Sequence, residues 1–214
     1  MSDSGVVPPM IQPMLATPAS SLRVLPAGEW RLEPKLDGWR ALVTIDDDQV
    51  TIRTRRGRDI SAVLPELSRP PRGARGRQVL LDGELIVGAG TCDDFYLVGP
   101  RLARSARSAH LGPLVSFVAF DVLWLDGRSL CDLPYGTRRA MLEELRLSKG
   151  SWWTAASLED DPQRVLDACQ QLHIEGIVAK RLDGRYRAGR RSNDWIKFKT
   201  EDWSLGHAPR RKTA

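Results

Sequence analysis

No apolar run in the 214-residue chain approaches the roughly 20 residues of a membrane helix, so neither a span nor a membrane partner is expected. Nothing between Met1 and Thr17 joins a basic start to an apolar stretch, and no secretory signal is visible. Cysteine is scarce. Cys92, Cys131 and Cys169 lie far apart, with no CxxC pair and no histidine spacing. That pattern excludes a disulfide frame and a zinc site, and it suits a reducing, cytoplasmic compartment. No internal repeat occurs, and strands and helices do not alternate regularly. The lack of regular alternation favours an α+β fold over a doubly wound sheet.

What is present is basic. The net charge is +5, which permits a polyanionic partner without demanding one. Its distribution is more informative: basic residues cluster at Arg53–Arg58, Arg69–Arg77, Arg101–Arg107 and from Lys180 through Lys199. Arginine dominates, and its planar fork matches phosphate in bidentate fashion. Nucleotide or nucleic-acid binding and a merely solvated face both satisfy that composition.

The first 21 residues are rich in Pro and Ser and read as an extended arm, lying on the domain or free of it. Residues 41–45 and 50–54 are β-branched runs around an acidic turn, a hairpin signal. A short helix is expected near 61–67, with loop from Pro65 to Arg77. Val79–Val87 and Leu114–Leu125 read as strands, the second followed by an Asp126-Gly127 turn. Helices are expected over Thr137–Leu147, capped by Thr137, and over Pro162–Leu172, with Pro162 in the first turn. Gly176–Leu182 and Trp195–Lys199 close the pattern as strands.

Several short constellations carry chemistry. In Glu33-Pro34-Lys35-Leu36-Asp37-Gly38-Trp39-Arg40, a lysine stands beside a glycine turn with an acid and an arginine close by. It is a candidate nucleophile, because nearby cations or desolvation can make a lysine reactive. Taken alone, these residues favour an exposed salt-bridge former over a nucleophile. Asp82-Gly83-Glu84 sits within an apolar strand, where a carboxylate is costly unless paired, hydrogen-bonded or metal-bound. The alternative is a bulge at Gly83 that leaves both acids in water. Phe120 offers a face to a purine or fills a core. Trp195-Ile196-Lys197-Phe198-Lys199 alternates, placing both lysines on one face, with Trp195, Ile196 and Phe198 expected on the other face or at its edge.

Taken together and in order, these pieces resemble the covalent nucleotidyltransferases, and among them the ATP-dependent DNA ligases, especially the ligase domains of bacterial end-joining enzymes. Lys35-Leu36-Asp37-Gly38-Trp39-Arg40 is similar to the family signature KxDGxR. Thr54-Arg55-Arg56-Gly57, Leu81-Asp82-Gly83-Glu84-Leu85, Phe120-Asp121, Glu175-Gly176-Ile177-Val178-Ala179-Lys180 and Trp195-Ile196-Lys197-Phe198-Lys199 follow in the family's sequence and spacing. Tyr186-Arg187-Ala188-Gly189-Arg190-Arg191-Ser192 also has a bacterial ligase character. Each motif alone is weak or moderate; six in order are specific.

The resemblance implies an ATP-grasp-like fold of antiparallel-rich sheets flanked by helices. It implies an adenylation domain over residues 22–200, after an arm of residues 1–21. Residues 201–214 are expected as a basic tail where family members continue into an OB-fold domain. By the same likeness, Lys35 takes AMP from ATP and passes it to a 5′-phosphate, and the strand is sealed by the 3′-hydroxyl, a ligation expected to be weak or partner-dependent without the OB-fold domain. Glu33 would accept from the adenine amino group, Phe120 stack on the base, and Arg40 and Arg55 contact ribose or phosphate. Glu84 would bind the ribose or Mg²⁺, Glu175 the metal, and Lys197 and Lys199 the α-phosphate. The expected partners are nicked or broken duplex DNA and an OB-fold or end-joining protein. The alternatives are an RNA ligase-like or capping nucleotidyltransferase, and a non-catalytic DNA- or nucleotide-binding module.

Overall fold

The hairpin forms where the β-branched runs predict it. Strands β3 (Trp39–Asp47) and β4 (Gln49–Thr54) pair antiparallel, and Asp47 turns the chain at a φ of 53°. Aspartate tolerates that left-handed conformation. A computed structural model describes residues 8–26, 28–201 and 203 of the chain. The tail expected over 201–214 lies outside the described residues except at 201 and 203, as do the first seven residues of the expected arm.

The hairpin is one edge of the larger sheet. Strands β5 (Arg77–Val87), β6 (Val115–Leu125) and β7 (Arg128–Ser129) complete the order β4-β3-β5-β6-β7, and β8 (Trp152–Thr154) runs parallel to β6. The smaller sheet has the order β1-β10-β9-β2, from β1 (Leu15–Ala19), β2 (Trp30–Lys35), β9 (Gly176–Arg181) and β10 (Arg191–Lys199). Most pairs are antiparallel, as expected for an antiparallel-rich α+β fold, and three α-helices flank them: α1 (Phe95–Leu102), α2 (Tyr135–Glu144) and α3 (Pro162–Gln171).

Alternation along each strand divides the interior. On one face of the larger sheet Val43, Ile45, Leu81, Leu85, Phe117 and Ala119 join Val98, Leu142 and Leu145 in the main core. On the other face Leu42, Leu80, Leu123 and Trp124 pack against Met14, Tyr186 and Trp195 from the smaller-sheet side. The far face of the smaller sheet buries Leu32, Ile177, Ala179, Ile196 and Phe198 under Val165 and Cys169 of α3. Pro162 opens α3 as expected, behind Asp161, whose carboxylate accepts from two backbone N–H groups.

Several expectations need correction. α2 begins at Tyr135, and its cap position is Pro134; Thr137 lies within the first turn, its N–H donating to the Pro134 carbonyl. The helix is pulled two residues earlier because Tyr135 and Arg138 are both wanted inside. The short helix near 61–67 is two separate 3₁₀ turns, Ser61–Val63 and Pro65–Leu67. α1 lies in a stretch for which no element is expected from the sequence, and it contains Gly99 and Pro100. It is held by burial of Val98 and Leu102 and by Arg101, whose guanidinium bonds the Val63 and Pro113 carbonyls and pairs with Glu66 at 2.9 Å. β10 starts at Arg191 rather than Trp195, because β1 pairs with its first residues.

Candidate active site

The central strand of the smaller sheet organises the site. In β9, Gly176 stands opposite Lys35 of β2 on one side and Lys199 of β10 on the other. Glu175, immediately before Gly176, therefore lies between two ammonium groups. Its Oε2 takes Lys35 Nζ and its Oε1 takes Lys199 Nζ at 3.0 Å. The same register sets Glu33 and Lys197 on either side of Val178, and Trp195 opposite Lys180. Residues opposite one another in a ladder share a face. Glu33, Lys35, Lys180, Trp195, Lys197 and Lys199 thus look toward the larger sheet. Trp195 is accordingly on the lysines' face, not across from it, while Ile196 and Phe198 go to the core under α3.

The larger sheet supplies the opposite wall by the same logic: Arg40 in β3, Glu84 in β5 and Val118 in β6 are mutual partners. Arg55 follows β4 and is placed by its N–H, which donates to the Arg40 carbonyl at 3.1 Å. Gly38 ends the turn after Lys35, and a Cβ there would stand 2.3 Å from the Leu85 carbonyl oxygen, so only glycine lets this turn lie against β5.

Between the sheets is a cleft of about 250 Å³. Of the residues singled out from the sequence, Glu33, Lys35, Arg40, Arg55, Glu84, Phe120 and Lys197 all line it. Lys199 and Glu175 stand beside it, joined to it through Lys35. The ladder does shift register at Asp82 and Gly83, but the extra residue is Phe120 of β6, so β5 itself does not bulge at Gly83 as expected. Of its two acids, Asp82 is buried and Glu84 is half-buried at the cleft. Asp82 is fully buried and bidentate with Arg40 (2.8 and 2.5 Å), and it accepts from the Tyr186 hydroxyl at 2.6 Å. Asp121 is equally buried and bidentate with Arg138, both contacts 2.8 Å.

The electrostatics follow from burial inside a cationic wall. Burial pushes the Glu84 carboxyl up to about 8; Lys35 and Arg40 oppose the shift, while Asp82 and Glu175 add to it. Burial, then the neighbouring Lys35 and Lys199, holds Lys197 below the usual lysine range. Both groups regain a favourable charged form if an anion reaches Lys197 and a cation reaches Glu84. Such a cleft can hold a phosphate chain against Lys35, Arg55 and Lys197, and a planar base against Phe120.

Sequence reasoning passed over residues whose roles arise from tertiary contact alone. Tyr135, from α2, donates its hydroxyl to Glu33. Lys180 ends the Glu175–Lys180 motif without a role implied by the resemblance, and Leu15, Ala16 and Arg191 line the cleft from the β1–β10 edge. The strict apolar context of Lys180 in Ile177–Lys180 was the one available signal, since a lysine there must be paired.

A fold of this kind is that of the nucleotidyltransferase domain of DNA ligases. A mycobacterial DNA ligase D complexed with ATP and MES superposes with a TM-score of 0.74 at 34% identity, over 88% of this chain and 60% of that one. The chain belongs to the ATP-dependent DNA ligase domain family, whose model matches residues 13–199. It is 36% identical to the multifunctional non-homologous end joining protein LigD of Mycolicibacterium smegmatis over 187 residues, 87% of this chain and 23% of that protein. It is 35% identical to the LigD of Pseudomonas aeruginosa over 200 residues, 92% of this chain and again 23% of that protein. The chain therefore spans about a quarter of those relatives.

Proposed function

We propose that this chain performs the adenylation chemistry of an ATP-dependent DNA ligase, with Lys35 carrying AMP from ATP to the 5′-phosphate of nicked or broken duplex DNA. The observation that carries this reading is the placement of Lys35 Nζ at a cationic cleft between the two sheets, bonded to Glu175, in a chain of the ligase domain family. Lys35, having released a proton, attacks the α-phosphorus of ATP. The bond to the bridging oxygen breaks, pyrophosphate leaves with its electron pair, and AMP remains on Nζ as a phosphoramidate. A 5′-phosphate oxygen of DNA then attacks the same phosphorus, the N–P bond breaks, and lysine departs as the amine with a proton taken up on Nζ. Attack by the 3′-hydroxyl on the DNA phosphate finally expels AMP and closes the strand.

Each step is in-line displacement at phosphorus, so the protein's part is alignment and charge neutralisation. Glu175 aims the Lys35 amine. Lys197 and Arg55 take phosphate oxygens from the cleft wall, and Lys199 acts from beside it. Arg40, fixed by Asp82, presents its remaining guanidinium edge to ribose or phosphate. Glu33 accepts from the exocyclic amine of adenine, and Phe120 takes the base face.

Glu84 and Glu175 are the carboxylates that would hold Mg²⁺, which supplies charge neutralisation at phosphate oxygens when bound. The donor set fits: Mg²⁺ commonly uses one or two carboxylates plus substrate phosphates and water. A Glu84 carboxyl raised by burial and by Glu175 also gains from a cation. Supplied with ATP, Mg²⁺ and a singly nicked duplex, the chain is expected to yield AMP-capped DNA and sealed strand, with neither from Lys35→Ala. Nicked duplex left free of AMP by the wild type overturns the reading.

A further inference from the structure

Lys180 is one of the most completely buried charged groups among the described residues, 1% exposed, yet it lines the cleft. Its Nζ lies 2.7 Å from Glu33 Oε2 and donates to the Phe120 carbonyl at 2.9 Å. Three aromatic rings enclose the ammonium, with centroids 4.3 Å away for Trp195, 4.5 Å for Phe120 and 5.0 Å for Tyr135. Such contacts compensate a desolvated cation. The two residues it bonds are those proposed above to take the edge and the face of the base.

We infer that Lys180 is a positioning residue for base selection: it keeps Glu33 an ionised, acceptor-only carboxylate and fixes Phe120, so that the site prefers a 6-amino purine nucleotide to a 6-oxo one. The inference rests on the adenylation reading. An ionised carboxylate accepts hydrogen bonds and donates none, whereas a protonated one can donate to a 6-oxo group. Glu33 is faced from β9 by Lys180 and from α2 by the Tyr135 hydroxyl and by Arg139 at 3.7 Å. Tyr135 is a neutral donor and Arg139 stands beyond direct hydrogen-bond reach, so Lys180 is the main counter-charge. Burial pushes the Glu33 carboxyl toward its neutral form, and Lys180 is the leading group that opposes it. Lys180 in turn is pulled down by burial and held up by Glu33. Without the ammonium, Glu33 protonates and becomes a donor.

The test compares formation of the nucleotidyl-protein adduct from labelled ATP and labelled ITP, which carries an oxygen in place of the amino group. Lys180→Met is expected to raise KM for ATP by about tenfold, the loss of one charge-assisted contact, while kcat falls less and the ATP-to-ITP preference narrows. Lowering pH should leave ITP use by the variant intact, because the donor form of Glu33 persists. Lys180→Gln retains a donor for Glu33 without the charge; it must show the same narrowed preference, and it carries the test if Lys180→Met does not fold. An unchanged ATP-to-ITP preference in a folded variant overturns the inference. A wild type that forms no adduct with ATP instead overturns the adenylation reading on which it rests.

Discussion

At the scale of single residues, the interior pairs several charges away from water. Arg138 and Asp121 are both fully buried and bidentate, and replacing one partner strands the other. Arg138→Met is therefore expected to cost about 3–5 kcal/mol in urea unfolding, with much of the loss recovered by adding Asp121→Leu. A double variant no more stable than the single one contradicts that account. Glu84 gives a pH dependence. Its carboxyl titrates near 8 in the folded chain against an ordinary 4.5, so the folded state binds the extra proton. Stability from this group is present below about 4.5 and is lost as pH rises toward 8. Glu84→Gln should flatten that slope in metal-free unfolding midpoints; equal slopes would refute the assignment. Lys35, Glu33, Arg40, Glu84 and Lys197 were legible in the sequence because each sits in a short ordered motif. Tyr135 and the Tyr186–Asp82 bond were not, since their partners lie 102 and 104 residues away.

Among the elements, β1 matters more than its Pro- and Ser-rich composition suggests. It pairs parallel with β10, contributes Leu15 and Ala16 to the cleft, and is preceded by Met14, which is fully buried. The Met14 N–H donates to the Tyr186 hydroxyl at 2.9 Å, and that hydroxyl donates in turn to Asp82, the partner of Arg40. Met14→Ala should cost about 2–5 kcal/mol of stability. It should also raise KM for ATP in adduct formation, because the β1 wall and the Arg40 clamp share this anchor. A destabilised variant with an unaltered KM would separate the strand from the site. An arm reading came from local composition, which carries no information about an edge strand completed by residues near the other end of the chain. The 3.6-residue period did reveal α3, whose apolar stripe faces Ile177 and Ala179. α1 carries Gly99 and Pro100, both poor helix formers, and is held by packing on β5.

For the molecule as a whole, two sheets meet across a cleft, and the packing of Trp195 and Tyr186 on Leu42, Leu80 and Leu123 holds them together beside it. The α+β class was readable from the mixed order of runs, but the facing of the sheets was not, since it depends on a register set across the chain. Outside the cleft Arg56, Arg58, Arg104 and Arg107 are exposed, and under the proposed function they would take backbone phosphates of a duplex. Binding to nicked duplex should weaken by about a hundredfold between about 50 and 200 mM salt for about four neutralised phosphates, without sequence preference. A flat salt profile in a titration would contradict this surface. The central claim, that Lys35 is the nucleophile, is tested most directly by mass spectrometry of the intact and digested chain after incubation with ATP and Mg²⁺. One AMP in phosphoramidate linkage is expected, located on Lys35 and lost in Lys35→Ala. No adduct on the wild type, or AMP on another residue that persists in Lys35→Ala, would contradict it.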